Sequence, residues 1–561
     1  LAARSAQILP VSGSEAAAGE NDMAALDRRT FLKGGVATAV GAGLGMFPRF
    51  ARAGAVWGAI PEDLGLPKYR ILDLFFPGGT SQWETFWVSH DDVGGAQNWR
   101  GLGDYVANLA WVPGPHAPSY SEETKLFAAE SAGRPAVSWG PATKPLWRSD
   151  IFERCRMVLT KHGHEVHSLS AHLVLTGRDM GRPRAAGLGA PIQRHFQSLA
   201  SPLAIPYAYA FVSADPSPGR DYFLANTLMN GPHPGPSRPL GVKVGSPIAD
   251  LMTRNGVSAE ADAVLGALRE QYRNLLRFKG QGSAVRSAGF EAYDGAAHYL
   301  VHAHELDPLF GGDQLAADPV SAPTDHPELA PLNNPTRRSL ELAAKMFAHG
   351  ARHVTVIDGG FDESVLRDNA SEMPYDCHHR TNQRDLVEVT SAGVFNALSA
   401  LADLIATPGE SNQLGLKALG AGHTIDLDTT LIRIFTEFGR KPGPNTSPDG
   451  EPVASSGREH FSDATWMILI GGPVTRRGIL GSITTDDGPE TAEIHDPLTA
   501  TDVYAALLLA AGVDPFASDN LTSGDDFSPF ILAEGTSTVT LRRRLKEQVL
   551  DVVPFGFKAI L

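Results

Sequence analysis

Short, nearly continuous apolar runs alternate along this chain with longer segments whose apolar positions recur at helical spacing. The runs are residues 69–76 (YRILDLFF), 156–160, 353–358 (HVTVID), 431–436 (LIRIFT) and 466–470 (WMILI), and they predict strands. Three of them close on glycine, at Pro77-Gly78-Gly79, Gly359-Gly360 and Gly471-Gly472. Residues 259–278 carry Leu265, Leu268, Tyr272, Leu275 and Leu276 at helical spacing, and residues 337–348, 384–406 and 502–511 also predict helices. Thr501 stands where the last of these needs an N-cap. The alternation implies an α/β fold with a largely parallel central sheet flanked by helices. Residues 111–144, rich in Pro, Gly and Ser, and residues 307–335, rich in Pro and Asp, read as loops. Strand signals on both sides of each favour one domain over residues 56–561, with insertions at about 111–144, 307–335 and 363–377.

The amino-terminal stretch stands apart from this pattern. Arg28-Arg29-Thr30-Phe31-Leu32-Lys33 is the charged opening of a twin-arginine signal. A glycine- and alanine-rich apolar stretch over residues 34–47 follows, short of the roughly 20 apolar residues a bilayer span takes. Ala51-Arg52-Ala53 and Ala53-Gly54-Ala55 then offer small-residue cleavage sites. Residues 1–55 are therefore expected to be signal and upstream extension. The expectation is export in the folded state by the twin-arginine translocation machinery, to the periplasm or beyond, with no stable membrane span.

Composition narrows the class. A hydrophobic share of 42% suits a sizeable globular core. The formal net charge of −15 argues against nucleic acid as a partner, since phosphate neutralisation needs basic patches. Cys155 and Cys377 are too few for a disulfide scaffold and are read as free thiols.

Candidate chemistry gathers after the strands, where open α/β sheets bind ligands. The first run is followed by Gly78-Gly79-Thr80-Ser81-Gln82-Trp83-Glu84, and the second by His162, His164, His167 and His172. The third is followed by Asp358 and Asp362, then by Asp376, His378 and His379; the fourth by Glu437 and Arg440. Gly457-Arg458-Glu459-His460 precedes the fifth. Imidazoles and carboxylates together suit borderline divalent ions or general acid–base work. Each alone also fits a polar loop.

The segments Gly78-Gly79-Thr80-Ser81-Gln82-Trp83-Glu84-Thr85-Phe86, 351–362, Thr436-Glu437-Phe438-Gly439-Arg440-Lys441-Pro442, Gly457-Arg458-Glu459-His460, Ile470-Gly471-Gly472 with 478–481, and 498–515 resemble an exported bacterial family, domain of unknown function 1501. That family is related to the alkaline phosphatase and sulfatase superfamily, so the resemblance implies an alkaline-phosphatase-like sandwich. Residues 167–178 (HSLSAHLVLTGR) resemble a sulfatase signature that opens on the nucleophile, which places His167 there with Ser168 beside it. His167 is then a nucleophile, a general base or a ligand, or else a structural residue of the helix. The resemblance further implies a divalent metal, Zn, Mn, Ca or Mg, held by Asp362, His378 or His379, Glu437 and His460. Phe438 stands where an adjacent ligand histidine would be, Gly78-Gly79 replaces Asp-Gly, and Glu84 stands where the family has Asp. Arg440 and Arg458 read either as clamps for an oxyanion or as surface ion pairs. The function implied is metal-assisted hydrolysis of phosphate or sulfate esters, on a small molecule or a polysaccharide. The alternative is a non-catalytic binding or assembly protein that keeps the fold.

Overall fold

The computed structural model describes residues 69–83, 85–86, 88–89, 125–127, 137–179, 187–197, 209–213, 240–243, 259–280, 335–348, 350–358, 375–376, 383–405, 425–441, 459–475, 477–484, 493–517, 520–521, 526–533 and 535–550. All of them belong to one compact unit, Trp57–Leu561. Its strands are β1 Arg70–Phe75, β2 Val88–Ser89, β3 Lys125–Phe127, β4 Val137–Trp139, β5 Cys155–Thr160, β6 Tyr209–Ser213, β7 Leu240–Lys243 and β8 His353–Ile357. They continue as β9 Thr430–Phe435, β10 Gly439–Arg440, β11 His460–Phe461, β12 Thr465–Gly471, β13 Gly478–Leu480, β14 Ser482–Thr484 and β15 Glu493–His495.

The central sheet has eight strands in the order β13-β5-β12-β9-β1-β8-β6-β7. Its strands are parallel except β12, which runs antiparallel to both β5 and β9. The expected α/β architecture is therefore present, with a mixed, mostly parallel sheet. The inverted β12 matters for function. Its amino end, and the residues just before it, lie at the carboxyl edge of the other strands.

Side chains on β1 alternate between two cores. Leu72 and Leu74 face a layer that includes Leu340 and Phe347 of the helix Pro335–Ala348 and Leu398 and Leu401 of the helix Gln383–Leu404. Ile71 and Phe75 face a layer that includes Ala171 and Leu175 of the helix His167–Thr176, Ile192 of Gly189–Gln197, and Val503 and Leu507 of Ala500–Ala510. A sheet covered on both faces needs apolar residues at nearly every strand position, which is why its strands read as continuous runs.

Charges interrupt those runs on the second face. Asp73 on β1 accepts from Arg433 Nε and Nη2 on β9 at 2.8 and 2.6 Å, and lies 2.8 Å from His353 Nε2 on β8. Burial pushes the Asp73 carboxyl up, but Arg433 and His353 together bring it down to about 2. Arg433 also donates to the Val174 carbonyl at 3.1 Å, which ties the helix His167–Thr176 to the sheet.

Three local readings change. The segment 111–144 is not all loop: β4 pairs with both β2 and β3 in a three-stranded sheet, and a 3-10 helix, Pro141–Trp147, follows. The cap of the helix Ala500–Ala510 is Thr499, not Thr501, because Thr499 and Asp502 form a reciprocal capping box. The helix Ala259–Gly280 forms as expected, yet Leu268, Tyr272 and Leu275 are exposed. The segment 307–334 and the amino-terminal signal lie outside the described residues. No helix among the described residues is long and apolar enough to cross a membrane.

Candidate metal centre

The chain turns sharply as it leaves β1. Gly78 and Gly79 have φ of +113° and +66°, a region that favours glycine. A Cβ on Gly78 would sit 2.3 Å from the Asp376 backbone nitrogen. The missing side chain is thus what admits the Tyr375–Asp376 segment to the carboxyl edge of the sheet.

Glu437, just past β9, is fully buried there. Its Oε1 accepts from the Gly78 amide and lies against His167 Nδ1, each at 2.7 Å, and Thr436 Oγ1 stands 3.0 Å from Oε2. Burial raises the Glu437 pKa, but the hydrogen bond and charge of His167 lower it further, so the group stays ionised. The Glu437 carbonyl is taken by His162 Nε2 at 2.7 Å, which makes that nitrogen the protonated one. Burial lowers the His162 pKa, and the neutral ring accepts at Nδ1 from the His164 amide at 3.3 Å.

His167 opens its helix with Nδ1 committed to Glu437, so Nε2 faces outward, 3.6 Å from Asp376 Oδ2. Burial disfavours the imidazolium, yet hydrogen bonds to Asp376 and Glu437, and their charges, outweigh it and hold the pKa at about 9. His460, on β11, behaves oppositely. Its Nδ1 donates to the Glu165 carbonyl at 2.7 Å, while burial, Arg440 and His167 drive its pKa down to about 4. It is therefore neutral, with its lone pair on Nε2. Its ring packs at a tilt against Phe438, centroids 4.3 Å apart, and meets His167 edge-on at 4.8 Å.

One ligand atom each from His167, Asp376 and His460 lies within 4.8 Å of the others. Two imidazoles and a carboxylate are a donor set suited to Zn or Mn. Glu437 behind His167 supplies the outer carboxylate that orients such ligands and raises their basicity. The residues present fit a single divalent ion.

Arg440 is also fully buried, so it is not a surface ion pair. Its Nε donates to the Gly79 carbonyl at 2.7 Å, and its Nη2 to the Gly78 carbonyl and to Asp376 Oδ1, the latter at 2.8 Å. Its guanidinium holds Asp376 and the turn after β1 together. Ser168 lies next to His167 in the first helical turn and is half-buried. Arg458, Asp362, His378, His379, Glu84 and Cys377 lie outside the described residues. Cys155 is buried and reduced, its thiol 3.2 Å from the Ile151 carbonyl.

Asp376 is the member of the trio that sequence reasoning placed in a polar group but left out of the ligand set. Its signal was indirect: a glycine pair standing where a carboxylate was expected leaves room for one delivered from elsewhere.

Residues 68–528 match the profile of a family described as "Protein of unknown function (DUF1501)". No curated protein matches the chain. Similar solved structures include a protein in the alkaline phosphatase superfamily from Vibrio parahaemolyticus, 10% identical, with 85% of this chain and 78% of that one covered and a TM-score of 0.30. The lipoteichoic acid synthase LtaP from Listeria monocytogenes is 8% identical, with 87% and 81% covered and a TM-score of 0.27. Ps i-CgsB, solved in complex with a neocarrahexaose, is 11% identical, with 83% and 77% covered and a TM-score of 0.29. At these scores the likenesses carry no argument about chemistry.

Proposed function

We propose that this chain, which belongs to the DUF1501 family, is an exported hydrolase-like protein that holds one divalent ion and cleaves a phosphate or sulfate ester. One observation carries the reading: His167, Asp376 and His460, far apart in sequence, present ligand atoms within 4.8 Å of one another at the carboxyl edge of the sheet. The ester class comes from the resemblance of residues 167–178 to a sulfatase signature, not from a substrate pocket.

When bound, the ion supplies Lewis acidity toward an ester oxygen. The remaining work falls to the chain. Glu437 fixes the His167 tautomer and directs Nε2 outward. In the metal-free state His167 keeps a proton between Glu437 and Asp376, and it must give that proton up to serve as a ligand. His460 is already neutral and needs no such exchange. Arg440 holds Asp376 through Oδ1, so Oδ2 is the oxygen turned toward the imidazoles. Asp362, His378 and His379 remain further candidate ligands, and Arg458 a candidate oxyanion clamp.

A second reading, a binding or assembly protein without catalysis, draws on the same network. With no ion, the carboxylates of Glu437 and Asp376 are balanced by His167 and Arg440, as in a closed structural cluster. Elemental analysis of the folded protein, purified without chelator or added metal, separates the two. The hydrolase reading expects about one divalent ion per chain, its loss in His460→Ala, and turnover of aryl phosphate or aryl sulfate in the loaded protein. No ion, and no stabilisation by added zinc, manganese, calcium or magnesium, leaves the binding reading.

Export rests on Arg28 and Arg29. Replacing both by lysine should retain the folded protein in the cytoplasm on cell fractionation; undiminished export would remove the twin-arginine reading.

A further inference from the structure

His167 and His460 are held by a helix and a strand, whereas Asp376 sits in the irregular segment Tyr375–Asp376. What fixes it is the residue before it. Tyr375 is 1% exposed. Its hydroxyl donates to Asp358 Oδ2, at the end of β8, while Thr336 Oγ1 donates to the other oxygen of that carboxylate. The Tyr375 amide donates to the Pro77 carbonyl at 3.2 Å, and its ring meets Phe76 edge-on, centroids 5.1 Å apart. Two glycines make room for the segment. Gly78 clears the Asp376 backbone, and a Cβ on Gly393, in the helix Gln383–Leu404, would lie 2.8 Å from the Tyr375 hydroxyl oxygen.

We infer that Tyr375 is a positioning residue for the ion site: its hydrogen bond to Asp358 sets the depth of the segment and so presents the Asp376 carboxylate to His167 and His460. This rests on the single-ion reading above. The phenol acts through one backbone step, with Asp358 as anchor and Arg440 as the hand on the far oxygen.

The test titrates the metal-free full chain with cobalt(II), followed by its visible absorption, beside thermal unfolding and amide hydrogen exchange of the peptide holding Asp376. Tyr375→Phe should bind cobalt(II) about ten-fold more weakly, the low end for groups that orient metal ligands, with an altered absorption band and faster exchange. Gly393→Ala provides a second variant, since its methyl crowds the phenol from the neighbouring helix. It should also weaken ion binding. Unchanged affinity and absorption in both variants overturn the inference. If the unmodified chain takes up no cobalt(II), the single-ion reading fails, and exchange alone decides. Faster exchange in Tyr375→Phe then keeps the positioning role, and unchanged exchange removes it.

Discussion

Asp73 lies between Arg433 and His353 inside the central sheet, and Asp376 lies between Arg440 and His167 at its carboxyl edge. The two trios share their chemistry, an acid flanked by a guanidinium and an imidazole, but not their geometry. Asp73 is gripped on both oxygens, with contacts of 2.6 to 2.8 Å. Arg440 grips one oxygen of Asp376, and the other stands 3.6 Å from His167 Nε2. A carboxylate with both oxygens committed cross-links strands. One with an oxygen facing two imidazoles is arranged to receive something between them. The difference separates a structural ion cluster from a candidate site, although residue types alone do not.

The comparison breaks most visibly at its inner member. Asp73→Asn removes the charge opposite a buried guanidinium and should cost about 3–5 kcal/mol in denaturant unfolding; a loss below about 1 kcal/mol would mean that the inner trio does not hold the sheet. The pH dependence has a definite sign. The Asp73 pKa falls to about 2 on folding, so its stabilisation is complete above the unfolded value near 4 and is lost as pH drops toward 2. The Asn variant should therefore show a flatter acid limb.

Gly78→Ala ranks next. It forces a side chain onto a φ of +113° and against the Asp376 amide. The strained backbone costs about 1–3 kcal/mol, and ion affinity should fall with it, because Asp376 must retreat. Retained affinity, measured by calorimetry, would show that Asp376 is not a ligand. The smallest effect on stability belongs to His460→Ala. The hydrogen bond His460 makes to the Glu165 carbonyl is exposed, so unfolding should shift by only about 0.5–1.5 kcal/mol, the net worth of one such bond, while the ion is lost. A shift comparable to that of Asp73→Asn would place His460 among the structural residues instead.

The sheet was legible where burial on both faces leaves long apolar runs, as in β1, β9 and β12. β6, β7 and β13 escaped because Tyr209–Ser213, Leu240–Lys243 and Gly478–Leu480 are short and interrupted by glycine, serine or lysine. Nothing in a run of apolar residues encodes its direction, so the antiparallel course of β12 was not readable either. That course nevertheless explains why a histidine preceding a strand, His460, shares an edge with residues that follow strands. The charges in RILDLF and TLIRIF were a sign of the inner trio, since an ion inside an apolar strand needs a partner on its neighbour. His167, Glu437 and His460 stood out singly from their positions near strand ends. Asp376 stood in the same polar group as His378 and His379, but its role as a ligand was not readable, because no spacing rule links it to Gly78.

The distance in sequence between neighbouring strands also sets an order of events in time. The neighbours of β12 are β5 and β9, and β9 in turn pairs with β1, where Asp73 and Arg433 meet across a sequence separation of 360 residues. Contacts of that span must close a long loop before they return any stabilisation, and so they form late. The middle of the sheet cannot close while the last third of the chain is still on the ribosome. A nascent chain threaded through a membrane in extended form would meet its pairing partners only on the far side, whereas one released whole into the cytoplasm can finish there.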